Sequence, residues 1–338
     1  MSYDEAVRKT WRSADRAVSD RALLQRELVR YATLAPSSHN TQCWRFALQE
    51  RVISILPDLS RRCPAVDPDD HHLFVSLGCA AENLIQAAWA NGLMGEVVFE
   101  GAPTDALKIT LQPTKPVPSR LFEAIPSRQC TRTEFDGKPL SNEELRLLDQ
   151  AGTGNGTRLL LLTDKLAMEK VLEYVVQANT AQMNDHAFVE ELKAWIRFGD
   201  AEAVRTGDGL FSRATGNPSV PRWLGRLLFT ALFTTKREND KYAKHIRSSA
   251  GIAVFVSDAN DKAHWVEAGR CYERFALQAS ALGIRNALLN QPVEVTSLRP
   301  QFAGFLGVGN HRPDLVVRFG RGPEMPRSLR RPVEAVLV

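Results

Sequence analysis

The chain has 338 residues, 44% of them hydrophobic and 24% charged, with a formal net charge of +4. That is the composition of an average soluble globular protein, with enough length for about two domain-sized units and a sizeable core. Lys and Arg are dispersed among 39 acidic residues, so composition predicts neither a nucleic-acid nor a membrane partner, and the expected partner is a small molecule.

The most apolar stretch, WLGRLLFTALF at 223–233, contains Arg226 and is far shorter than the ~20 residues of a membrane span. It reads as a buried or lid-like helix. The N-terminal MSYDEAVRKTWRSADRAVSD is polar and mixed in charge, without the apolar core of a secretory signal. Five cysteines (Cys43, Cys63, Cys79, Cys130, Cys271) are scattered, odd in number and without C-x-x-C spacing. That usage predicts a reducing compartment, the cytoplasm by default, and neither a disulfide framework nor a structural zinc.

In chain order, a helix is expected at about 20–34, ended by Pro36, because the residue before a proline is pushed out of the α region. WRFALQ and RVISIL then read as a hairpin, with Trp44, Phe46 and Leu48 sharing a face. Asp70 is the expected N-cap, and Gly92 the C-terminal signal, of a long apolar helix. VVFE and LKITLQ supply two more strands, and the proline-rich PTKPVPSR (113–120) predicts an extended linker. Beyond it, Ser141 and Glu144 form a capping box, RLLLLTD reads as a strand, and KLAMEKVLEYVVQANTAQM and AFVEELKAWIRF as amphipathic helices. IAVFVSD, the long helix HWVEAGRCYERFALQASALGI and DLVVRFG complete the pattern.

The halves echo each other. FVSLGCAAENLIQAAWANGL (74–93) aligns without gaps on WVEAGRCYERFALQASALGI (265–284), matching at Val75/Val266, Gly78/Gly269, Glu82/Glu273, Ala88/Ala279, Ala90/Ala281 and Gly92/Gly283. A duplication is expected to pack as two subunits with an isologous interface would.

Several segments carry polar groups suited to chemistry. LAPSSHNTQCWRF (34–46) puts a Ser–His pair between a helix and a strand, but a nucleophile elbow needs G-x-S-x-G on a strand-to-helix turn, and neither Ser is so flanked. Cys63, Asp69, Asp70, His71 and His72 look metal-like, yet adjacent His residues at a helix start are expected to diverge, so no metal site is assigned. GTGNG (152–156) and GVGN (307–310) lack the strand–glycine–helix context of a dinucleotide fingerprint and read as turns. SRQCTRTEF, with Arg128 and Arg132, and RSLRRP, with Arg327, Arg330 and Arg331, offer the fork-shaped donors that suit phosphate; a solvated surface is the other reading of both.

APSSHNTQCWRF resembles the APS-x-x-N-x-Q-P-W-x-F signature of FMN-dependent nitroreductases, SRQCTRTEF resembles their R-R-S-x-R-x-F segment, and LRRPVEAVL their R-x-P-x-x-E-V ending. The order of the motifs is most similar to the fused, double-length Acg-type branch. The resemblance implies an α+β, nitroreductase-like fold, internally duplicated into a single-chain pseudo-dimer, with mixed or antiparallel central sheets flanked by helices. The expected halves are residues 1–118 and 119–338, with a lid insertion at about 185–250.

The resemblance also implies FMN held between the halves. Arg128, Gln129, Cys130 and Arg132 fall where the family contacts the flavin phosphate and ribityl chain, and Arg330 with Arg331 near a second phosphate-binding basic site. Pro36, Ser37, Ser38 and Asn40 match the loop lent by the other half, and Asn290 and Gln291 the backbone beside the flavin ring. Cys43 stands where the family has proline, and Gln129–Cys130 where it has Arg–Ser. The loop motif survives only in the first half and the arginine motif only in the second, so one composite site per chain is expected.

No catalytic side chain is assigned, because the chemistry belongs to the flavin. The implied activity passes a hydride from NADH or NADPH through FMN to a small conjugated electron acceptor of the nitro or quinone class. The alternative is an FMN-storage or sequestering protein with little turnover. Either a monomeric pseudo-dimer or a homodimer fits.

Overall fold

The computed structural model describes residues 1–13 and 20–338. Residues 14–19, within the stretch RKTWRSADRAVSD (8–20) that makes a poor arginine motif, lie outside the described residues.

Helix α1 (Tyr3–Thr10) starts with a capping box between Ser2 and Glu5, and α2 (Arg21–Thr33) starts at Asp20, whose carboxylate accepts the Leu23 N–H. β1 (Trp44–Leu48) and β2 (Val52–Pro57) form the expected hairpin. Next come α3 (His71–Ala90), β3 (Leu93–Glu100) and β4 (Ala106–Pro113). The linker 114–119 is extended as its prolines require. α4 (Arg120–Ala124), α5 (Asn142–Gly152, with the predicted Ser141–Glu144 box), β5 (Thr157–Leu162), α6 (Lys165–Asn184) and α7 (His186–Trp195) follow. A short parallel pair, β6 (Ile196–Arg197) and β7 (Leu210–Phe211), flanks α8 (Asp200–Thr206). α9 (Arg222–Leu232) and α10 (Thr235–Arg247) lead to β8 (Gly251–Ser257). α11 (Lys262–Ala281), β9 (Arg285–Leu288), α12 (Gln291–Glu294), α13 (Arg299–Phe305) and β10 (Arg312–Gly320) complete the chain.

Two four-stranded sheets carry the α+β fold, in the orders β1-β2-β4-β3 and β5-β8-β10-β9. All their strand pairs are antiparallel, so of the two sheet types expected the antiparallel one is observed. The sheets have one topology: first, second, fourth, third, with a 20-residue helix between the second and third strands.

Those two helices, α3 and α11, cross at backbone contact. A Cβ on Gly78 would lie 2.0 Å from the Val266 carbonyl oxygen, and one on Gly269 would lie 2.0 Å from that of Val75. Glycine is the residue that allows so close an approach. α3 is long and apolar enough to cross a membrane, but it is the central core helix and is almost wholly buried. One hydrophobic core runs through both halves, joining Trp44, Phe46 and Leu84 to Phe255, Phe275 and Phe319.

The C-terminus reaches back to the first sheet, where the Phe46 N–H donates to Val336 O at 2.8 Å and the Val338 N–H to Phe46 O at 3.0 Å. In the second sheet the linker-side segment plays the corresponding part, with the Thr131 N–H donating to Asn286 O at 2.8 Å. Each sheet therefore receives a segment from elsewhere in the chain at an edge strand.

One helix start differs from expectation. Asp70 occupies the N-cap position of α3 in a left-handed conformation and caps nothing; Asp67 does so, accepting the N–H groups of His72 and Leu73 at 3.0 Å each.

Candidate functional site

A cavity of about 420 Å³ opens between the halves, within the range of small-molecule and cofactor sites. The loop after α2 supplies Pro36, Ser37, Ser38 and His39; α3 supplies His72, Val75, Ser76 and Cys79; and Arg132, Tyr272, Asn290, Gln291 and Arg318 come from the second half. Segment 186–247 covers much of the rest, with Phe188, Leu192, Phe198, Leu228, Phe229 and Phe233 as apolar lining and Glu238, Lys241, Tyr242 and His245 as polar lining, and Glu294 of α12 adds a second carboxylate.

Arg132 and Arg318 set the electrostatics. Neither makes an ion pair with a carboxylate among the described residues. Arg318 is fully buried in β10, donating to the carbonyls of Thr131 and Thr133 at 2.9 and 2.8 Å. Burial first, then the neighbouring Arg132 charge, pulls it down to about 9. His245 is pushed down to about 3 by burial, Arg318 and Lys241, so it is neutral at ordinary pH. The two guanidiniums give this part of the cavity wall a positive character, with Glu238 paired to Lys241 and Glu294 accepting from Gln182 elsewhere on the lining.

The loop opposite is strained and held in place. His39, Asn40 and Gln42 have φ of 49°, 53° and 55°, left-handed conformations costing roughly 1 kcal/mol or more each for residues other than glycine. Ser37 Oγ accepts the Gln42 N–H at 2.9 Å. The Asn40 amide donates to the carbonyls of Gly209 and Leu329, and the Gln42 amide to that of Gly207. His39 is pushed down to about 4 by burial and Arg132; its Nδ1 and the Gln291 Oε1 are buried on the wall without a hydrogen-bond partner.

A second polar group stands beside them. Asn290 Oδ1 accepts the Val316 N–H at 3.0 Å, which turns its amide N–H toward His72 Nε2 at 3.1 Å. His72 Nε2 is thereby an acceptor, and its Nδ1 faces Asp67 at 3.4 Å. Asp67, His71 and His72 bring ligand-type atoms within 4.8 Å of one another. The two imidazoles lie 4.6 Å apart, so they converge and the expected divergence is corrected. These groups are already engaged, however: both Asp67 oxygens hold the start of α3, and His71 Nε2 is 2.9 Å from Asp314.

The residues expected at the site divide into two sets. Pro36, Ser37, Ser38, Arg132, Asn290 and Gln291 line the cavity. Asn40, Arg128, Gln129, Cys130, Arg330 and Arg331 are not among its lining residues. Arg128 is buried, with Nε 3.1 Å from the Glu273 carboxylate and Nη2 donating to Leu34 O at 2.7 Å. Arg330 donates to the carbonyls of Thr33, Leu34 and Ala35. Arg331 engages Gln42 through both its backbone N–H and its side chain. Gln129 bridges to the Met325 backbone, and the Cys130 thiol faces Tyr272 Oη at 3.7 Å. This second set ties the 34–42 loop to the C-terminal segment and to the 207–209 turn, and so positions the wall without forming it.

Arg318, His39 and His72 complete the site beyond those expectations. A charged residue inside DLVVRFG, a run whose neighbours are all buried, is the sequence signal for Arg318.

On the other side of the helix crossing, the polar groups of α11 are paired and packed. Glu82 and Glu267 there pair with Arg270 and Arg274. A Cβ on Gly154 would meet Glu267 Oε1 at 2.4 Å and Cys271 Sγ at 2.5 Å, so the GTGNG loop is packed directly onto α11.

No protein-family model matches the chain. Over 325 residues it is 24% identical to the Mycobacterium tuberculosis protein named "Putative NAD(P)H nitroreductase Rv3131", covering 92% of this chain and 90% of that one. Over 321 residues it is 23% identical to "Putative NAD(P)H nitroreductase acg" of the same organism, covering 91% and 93%. The chain is thus similar over nearly its whole length to two proteins named as putative NAD(P)H nitroreductases. Among solved structures, the FMN-dependent nitroreductase NfnB of Mycobacterium smegmatis in complex with NADPH aligns with 64% of this chain and 96% of its own, at 14% identity and a TM-score of 0.42. A nitroreductase from Desulfitobacterium hafniense with bound FMN aligns with 62% and 94%, at 13% identity and a TM-score of 0.40.

Proposed function

We propose that the chain is an FMN-dependent oxidoreductase that takes a hydride from NADH or NADPH and delivers it to a small conjugated acceptor of the nitro or quinone class. The observation that carries this reading is the pair Arg132 and Arg318, which line the cavity together with many apolar side chains and make no ion pair among the described residues, the cavity's own carboxylates being engaged elsewhere, Glu238 with Lys241 and Glu294 with Gln182. A phosphomonoester carries about −1.5 to −2 charges and fits two fork-shaped donors. The unpartnered His39 Nδ1 and Gln291 Oε1 are further polar atoms placed for a ligand.

When bound, FMN supplies the two-electron chemistry. The chain's own residues do the rest. Arg132 and Arg318 neutralise the phosphate, Ser37, Ser38, Asn290 and Gln291 offer polar contacts along the wall, and Leu228, Phe229 and Phe233 keep water away. Asp67 holds His72, and through it the Asn290 amide, in a fixed orientation. Segment 185–250 acts as the lid, and its apolar side favours planar, uncharged acceptors.

The matched sheet topologies and the reciprocal glycine contacts support reading residues 1–118 and 119–338 as duplicated halves forming a pseudo-dimer with one flavin site. Either the single chain or a homodimer serves such a site, and five free thiols suit the cytoplasm. The test is a titration of purified protein with FMN followed by flavin release and counting. One FMN per chain is expected; none, or two fully occupied, contradicts the reading.

A further inference from the structure

We propose that helix α9 docks the protein on an anionic lipid surface. α9 is apolar on two sides. Leu228, Phe229 and Leu232 line the cavity, while Trp223 and Leu227 point outward, 67% and 61% exposed. Trp223, Leu227 and Ala231 are spaced by four and form one exposed strip; Arg222 and Arg226, also spaced by four, form the strip beside it. A Trp–Leu face edged by arginines is the pattern of a helix lying in a membrane interface.

The surroundings extend it. Between residues 218 and 248 the chain has seven Lys and Arg against two acidic residues, and Arg226, Arg237 and Lys244 are exposed and make no ion pair among the described residues. The other four cations are paired, Arg222 with Glu202, Lys236 with Asp240, Lys241 with Glu238 and Arg247 with Glu169, so the unneutralised charge is that of Arg226, Arg237 and Lys244. Charge complementarity selects the occupant. A second copy docked through this face about a two-fold axis would set the basic patch against itself, whereas an anionic bilayer neutralises it and takes up the Trp–Leu strip. Docked so, the apolar lid side of the cavity lies next to the hydrocarbon boundary.

The test needs neither flavin nor turnover, so it stands or falls separately from the redox reading. Full-length protein is floated with vesicles of phosphatidylcholine alone or mixed with phosphatidylglycerol. Flotation is expected with the anionic vesicles only, weakened by added salt, reduced at least tenfold in Trp223→Glu/Leu227→Glu and weakened in Arg226→Gln/Arg237→Gln. Trp223→Ala/Leu227→Ala serves if the glutamate variant does not fold, as judged by its melting temperature. No flotation with either vesicle, or unchanged flotation of the folded variants, overturns the proposal. So does a dimer seen by light scattering that Trp223→Glu/Leu227→Glu abolishes, since that assigns the face to a second copy.

Discussion

Gly78 and Gly269 are reciprocal. Each faces the carbonyl of the valine three residues before the other, and the same two pairs, Gly78/Gly269 and Val75/Val266, are equivalent in the sequence echo. That i-to-j and j-to-i exchange is what an isologous interface would show, and it supports the proposed duplication.

Backbone lies on the far side of both contacts, so relief by a side-chain rotation is closed. Gly78→Ala and Gly269→Ala are each expected to cost about 3 kcal/mol, the upper part of the overpacking range. Urea denaturation checks this, and the two losses should be similar in size because the contacts are equivalent.

The two arginine sets separate binding from folding. Arg132→Ala and Arg318→Ala should each weaken FMN by roughly 1.5–3 kcal/mol, the range for hydrogen bonds to charged groups. Arg128→Ala should instead lower stability by about 3–5 kcal/mol, because it leaves the Glu273 carboxylate buried without its partner. Flavin fluorescence titrations and denaturation midpoints on the same variants distinguish the two outcomes.

Glu273 also gives a pH dependence. Burial pushes its pKa up to about 7 against the opposing pull of Arg128. An acid whose folded pKa lies above its unfolded value contributes stability that is complete below about 4.5 and is lost as pH rises through about 7. Glu273→Gln should remove that fall, on the order of 1–3 kcal/mol between pH 4.5 and 7.5. Unfolding free energies of wild type and variant should therefore be close near pH 4.5 and diverge toward high pH, the wild type falling below the variant.

Much of the fold was legible because its signals are local. Asp20, Ser141 with Glu144, the 44–57 hairpin and the period of α6 and α11 depend on neighbours in sequence, and each appears where local physics puts it. The α3 start shows the limit: Asp70 sits at the right position, but the chain turns so that Asp67 makes the cap. At the site, motifs identified which segments meet, and Arg132, Ser38 and Asn290 do share a cavity. They could not tell which side chains face inward. Arg128 and Arg330 turn to the α2 end because unpaired carbonyls lie there. Arg318 was missed because its role depends on strand register and on Arg132, far away in sequence. Cys43, standing where the resemblance expects proline, is a buried thiol pushed up to about 12 by desolvation, and nothing in the structure explains the exchange.

The central claim is tested most directly by an anaerobic titration of the FMN-loaded protein with NADH and with NADPH, followed by absorbance. The yellow flavin band is expected to bleach with at least one donor and to return when a quinone or nitro compound is added. A bound flavin that neither donor bleaches would contradict it.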